Sequence, residues 1–137
     1  MRRRDHIFLI LFLIYLGLVL WCCFGNFSDM PDVQKEMFGI PTDKVVHFIM
    51  FLPFVFLGYM SFASRPKKRI QSILLVFASL AGGVLMAVAT EIGQSLTSYR
   101  TGDAFDFVAD GTGLLVATVF TLILVFFKKY QDPHNAS

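Results

Sequence analysis

A chain of 137 residues that is 55% hydrophobic, carries sixteen Phe and is only 16% charged has a mean hydropathy of +0.64, which excludes an ordinary water-soluble globular domain. The formal net charge of +2 says little by itself, because in a membrane the side on which each charge falls is what matters. Cys22 and Cys23 are adjacent and point about 100° apart on a helix, and no CxxC or Cys/His spacing is present, which argues against an internal structural disulfide or a cysteine-based zinc site.

Arg2, Arg3 and Arg4 stand before the first apolar run, residues 7–24, whose 18 residues lie near the lower limit for a spanning helix. The run is long for a signal peptide, no A-x-A site follows it, and Trp21 spoils a lipoprotein-type site at Cys22. It therefore reads as an uncleaved signal anchor with Trp21 at the interface. Residues 25–42 hold two Pro, two Gly and four charges and are expected as a loop lying on the membrane surface through Met30, Val33, Met37 and Phe38. Asn26-Phe27-Ser28 fits the N-glycosylation pattern but sits against the membrane. The second span is expected at 45–63, capped by Thr42-Asp43 and interrupted by Pro53, whose missing hydrogen bond neighbouring helices repair. A basic turn at 65–69 leads to a third span at 70–96. A tight loop at 97–103 follows, with Asp103 as a cap, then a fourth span at 104–127 and the pair Lys128-Lys129.

Orientation follows from the basic residues in short loops. With the N-terminus cytoplasmic, nine Lys and Arg fall inside (Arg2, Arg3, Arg4, Arg65, Lys67, Lys68, Arg69, Lys128, Lys129) and three outside (Lys35, Lys44, Arg100). Eight acids fall outside, leaving Asp5 and Asp132 inside. The expected fold class is thus an all-α integral membrane protein, a four-transmembrane-helix bundle forming one domain, with both termini cytoplasmic. The basic clusters are explained as topology signals and imply no nucleic-acid partner.

Helical spacing then assigns faces. In the second span Asp43 and His47 lie one turn apart near the outer end, and in the third Ser79, Gly83, Ala87 and Glu91 form a small-residue seam ending in a carboxylate. In the fourth, Asp106, Asp110, Gly113, Ala117 and Thr121 share one face. The short loop makes the last two spans antiparallel neighbours, so Glu91, Gln94, Arg100, Asp106 and Asp110 are expected to converge, joined by His47. The first span, with no buried charge, reads as an anchor.

The motifs Asp43-Lys44-x-x-His47-Phe48, Glu91-x-x-Gln94 and Arg100-x-x-Asp103-x-x-Asp106-x-x-x-Asp110-x-x-Gly113, in that order, resemble the VanZ-like family of bacterial membrane proteins, named for a member associated with teicoplanin resistance. The resemblance covers roughly residues 43–127. It implies a multi-pass protein of the bacterial inner membrane, a role in the cell envelope and a four-span bundle. The family pattern commonly has Asn where this chain has Asp110, which adds an acid to the cluster.

Ionisable groups at this depth are functional candidates by default, and an excess of acids calls for a proton, a metal ion or a cationic ligand. His47, Glu91 and Asp106 are the catalytic candidates. Arg100, Gln94, Asp43 and Lys44 are the candidates for substrate contacts, and Glu91, Asp106 and Asp110 for a divalent metal. Three functions fit: an enzyme acting on a lipid-linked envelope component or an amphiphilic glycopeptide at the outer leaflet; a non-catalytic protein that sequesters such a molecule or is purely structural; and a proton-coupled transporter, which the lack of an inverted repeat disfavours. The plainer alternative for the acids is that they pair with Arg100 and one another to lock the helices. In a background without Cys22 and Cys23, Thr101→Cys should react with a membrane-impermeant thiol reagent added to intact cells and Lys67→Cys should not. The reverse pattern inverts the orientation.

Overall fold

The computed structural model describes residues 2–25, 36–37, 39–66, 68–97 and 104–129. They form helices α1 (Arg3–Phe24), α2 (Thr42–Phe51), α3 (Phe54–Met60), α4 (Arg69–Ser95) and α5 (Ala104–Phe127), with two short strands, β1 (Glu36–Met37) and β2 (Ile40–Pro41), ahead of α2. Among the described residues four segments are long and apolar enough to cross a membrane: α1, α4, α5 and the 19 residues Thr42–Met60 that α2 and α3 make together. At 22, 27 and 24 residues, α1, α4 and α5 run about 33, 40 and 36 Å, against a hydrocarbon core of about 30 Å. Their outward surfaces are apolar: Leu74, Leu85, Val108, Leu115 and Phe126 are all exposed. In water such a surface is unfavourable, whereas in lipid it matches its surroundings.

The stretch expected as a loop contains a tight antiparallel pairing, Glu36 with Pro41 and Met37 with Ile40, closed at Gly39 with φ of +76°, a backbone region that glycine enters without strain. The expected anchors Met30, Val33 and Phe38 and the pattern at Asn26 lie outside the described residues. Pro41 is the N-cap of α2 and no side chain caps it, so Thr42 and Asp43 sit inside the first turn instead of capping it. The expected break at Pro53 separates α2 from α3. The Tyr15 hydroxyl of α1 donates to the Met50 carbonyl in the last turn before that break, supplying a partner from a neighbouring helix.

Contacts at the two ends establish the up-and-down order. At one end the Asp5 carboxylate of α1 accepts from the Ser64 hydroxyl just beyond α3, Arg69 of α4 reaches the Phe126 carbonyl of α5, and Lys128 donates to the Ala63 carbonyl at 2.6 Å. The Phe126 carbonyl is in the last turn of α5, where the helix leaves it without an internal partner. Asp5, which precedes the apolar run expected at 7–24, is fully buried, so α1 begins with a buried charge although that run itself carries none. At the other end the start of α2 meets the start of α5, and the end of α1 meets the end of α4.

Between these ends lies a core of Phe51, Phe54, Val55, Tyr59, Val76, Ala87, Leu114, Ala117 and Val125. The α5 seam is buried along its whole length, but at Gly113 it meets α2: a Cβ there would stand 2.5 Å from the Phe48 carbonyl oxygen. The α4 seam meets α3 at Ser79 and Gly58, and meets Leu114 of α5 at Gly83. The two seams therefore do not simply face each other, because α5 turns its small residues toward α2. Gly113→Ala should lower the melting temperature of the purified protein by the equivalent of about 1–3 kcal/mol. Gly111→Ala, where an added Cβ meets nothing within 4 Å, should leave it unchanged or raise it.

Candidate functional site

α2 and α5 begin at the same end of the bundle and run side by side, so polar residues in their first turns meet. Lys44 and His47 are three apart on α2, and Asp106 and Asp110 four apart on α5, which places each pair on one face. The faces meet as a ladder with one turn between rungs. Lys44 Nζ lies 2.7 Å from Asp106 Oδ1, and His47 Nδ1 lies 2.9 Å from Asp110 Oδ1. A diagonal joins the rungs, with His47 Nε2 facing Asp106 Oδ2 at 3.8 Å, beyond hydrogen-bond length. Asp106 in the first turn of α5 also lies at the positive end of that helix dipole.

Burial deepens along the ladder. Side-chain exposure falls from 56% at Asp43, which pairs with Lys44 at 3.0 Å, through 18% at Lys44, 12% at Asp106 and 6% at His47 to 1% at Asp110. Among the described residues the second oxygen of Asp110 has no hydrogen-bond partner. With Asp110 ionised, its Oδ1 can only accept, so Nδ1–H of His47 donates and a neutral ring carries no proton on Nε2.

The convergence expected from the sequence is therefore realised in part. His47, Lys44, Asp106 and Asp110 come together. Asp43, one turn before His47 on α2, is exposed at the rim and touches the site through Lys44. Gln94 is turned to α1, where its Nε2 donates to the Cys23 carbonyl at 3.2 Å and so completes the end of that helix. Glu91 is half-buried on α4. Arg100 and Asp103 lie outside the described residues. Among the described residues no group of three or more His, Cys, Asp or Glu side chains is placed to hold a metal ion, so Glu91, Asp106 and Asp110 do not form one ligand shell. Among the described residues Cys22 and Cys23 form no disulfide. Tyr15, which was not among the expected residues, donates its hydroxyl to the Met50 carbonyl beside this site. A lone phenol inside an otherwise aliphatic and Phe-rich span was the available signal.

Comparison with known proteins adds the following. The family model described as VanZ/LLP1 matches residues 12–128. An uncharacterized protein of the fission yeast Schizosaccharomyces pombe is 32% identical over 82 residues, covering 60% of this chain. The matched stretch spans 48%, about half, of the yeast protein's own length. No solved structure matches this chain.

Lys44→Met should destabilise the purified protein by about 1–3 kcal/mol, because it takes the cation from the largely buried Asp106 carboxylate, and Asp106→Asn should cost less, because Lys44 keeps Asp43. The double variant should recover a large part of that loss. Strict additivity of the two effects in thermal unfolding would show that the pair is not coupled.

Proposed function

We propose, for a chain that belongs to the VanZ-like family, that the ladder is a general acid–base site acting on the polar head of a lipid-linked or amphiphilic molecule at the outer leaflet of a bacterial membrane. The observation that carries the reading is the placement of His47, gripped at Nδ1 by a fully buried carboxylate while Nε2 looks toward Asp106 across 3.8 Å. A carboxylate behind an imidazole fixes its orientation and stabilises the imidazolium formed when Nε2 takes a proton. A substrate hydroxyl or a water that approaches this pair from the side can come within hydrogen-bond length of both Nε2 and Asp106. Lys44 holds Asp106 in place and offers a cation to an anionic head group.

Four apolar spans and the family match support a multi-pass membrane protein, in keeping with chemistry near the membrane surface, where a lipid head group lies. Family membership supports a role in resistance to glycopeptides such as teicoplanin. A relative in fission yeast supports defining the substrate by its head-group chemistry instead of by one drug. Each aspartate of the ladder has a cationic or imidazole partner, which supports proton transfer as the use of these acids.

Expressed in a teicoplanin-susceptible bacterium, the protein should raise the tolerated drug concentration. His47→Ala and Asp106→Asn should each return it to the empty-vector level with membrane abundance unchanged. Asp110→Asn keeps an acceptor oxygen for Nδ1 and removes the charge, so it should retain an intermediate effect. Full resistance in the His47→Ala strain would rule out acid–base chemistry at this residue.

A further inference from the structure

Just below the ladder, α2 and α5 touch backbone to backbone at Gly113 and Phe48. Beyond that contact the Pro53 break ends α2, and a crevice of about 370 Å³ opens between the break, α3 and α5. Leu52, Pro53, Phe56, Val116, Ala117 and Phe120 line it. The Phe56 and Phe120 rings pack with centroids 5.9 Å apart, and Val116 and Phe120 are exposed on the lipid-facing side. No lining side chain offers a hydrogen bond, so water has no partners there and the space suits hydrocarbon.

Its position relative to the ladder gives the crevice its meaning. Asp110 and Ala117 are seven residues apart on α5 and both buried on its α2-facing side, which sets the crevice about 10 Å deeper than the lower rung in the same seam. A polar site at the mouth of a seam and an apolar slot farther down it match the layout of an amphiphile. We propose that the crevice is the chain subsite for the same molecule whose head group lies at the ladder, and that it takes one hydrocarbon chain of that lipid. This rests on the acid–base reading for the head group. The Gly113 contact keeps the two compartments distinct, since a chain must pass along the lipid-facing side of that crossing to reach the slot.

The test uses full-length protein in phosphatidylcholine nanodiscs containing a small fraction of phosphatidylglycerol with a photoactivatable diazirine at the middle of one acyl chain. This probe carries a phosphate for Lys44 and free hydroxyls for His47. In the unaltered protein, labelling of the peptide spanning 116–120 should saturate with probe. Val116→Trp and Phe120→Trp, both filling the crevice from its lipid-exposed edge, should each reduce that labelling at least fivefold. Labelling around Leu85, on the outward face of α4, should be the same in every variant and rise linearly with probe without saturating. His47→Ala should reduce the crevice signal at least threefold. Non-saturable labelling, or labelling unchanged in both Trp variants, would mean that the crevice holds only bulk lipid and would overturn the proposal. Labelling that is blocked by Trp but unaffected by His47→Ala would also overturn it, by separating the chain from the ladder. If the labelling behaves as expected while His47→Ala keeps full resistance, the chain subsite stands and the acid–base reading fails.

Discussion

The arrangement of this bundle depends on one requirement, that a carboxylate buried to 1% side-chain exposure on α5 be matched by a partner on another helix. An isolated charge in low-dielectric surroundings is prohibitively costly, so Asp110 must be protonated or hydrogen-bonded by a group able to share a proton. His47 meets that need at 2.9 Å only if α2 and α5 approach until their backbones touch, and that approach is possible because position 113 has no side chain. Lys44 and Asp106 repeat the logic one turn nearer the surface. The ladder and the Gly113 crossing are thus two sides of one constraint, with the pairing setting the rotation of each helix and the glycine setting their distance.

The first helix shares in that constraint. Tyr15 reaches across to the Met50 carbonyl at the Pro53 break, and the Cys23 carbonyl takes the Gln94 amide. At the opposite end Asp5 and Ser64 join α1 to the turn after α3. Three polar contacts spaced along an apolar helix fix its position and rotation where packing against lipid-like side chains alone would specify neither.

Much of this was legible in the sequence because a helical period of 3.6 residues fixes which side chains share a face. Asp106, Asp110, Gly113, Ala117 and Thr121 are all buried together as their spacing requires. His47 was identified from its place one turn inside a span that begins near acids. What the period could not decide was which of two neighbours, Asp43 or Lys44, turns inward, since both lie within the first turn of α2. The acids of α5 decide it, by attracting the cation. Nor could loop length decide the rotation of α4. Chain proximity suggested that Glu91 and Gln94 would join the cluster, yet the open carbonyls at the end of α1 draw Gln94 the other way. The burial of Asp5 was hidden because it follows three arginines at a terminus, where exposure is the usual outcome.

The central claim is that Asp110 holds Nδ1 of His47 and leaves Nε2 to exchange the proton. The most direct measurement is nitrogen NMR of the protein in nanodiscs with ¹⁵N-labelled histidine, the His47 signals being assigned by their loss in His47→Gln. We predict a neutral imidazole that carries its proton on Nδ1, with Nε2 as the nitrogen whose shift moves on titration, and a weakened Nδ1 hydrogen bond in Asp110→Asn. A neutral ring protonated on Nε2, with signals indifferent to Asp110→Asn, would contradict the geometry on which the proposed chemistry depends.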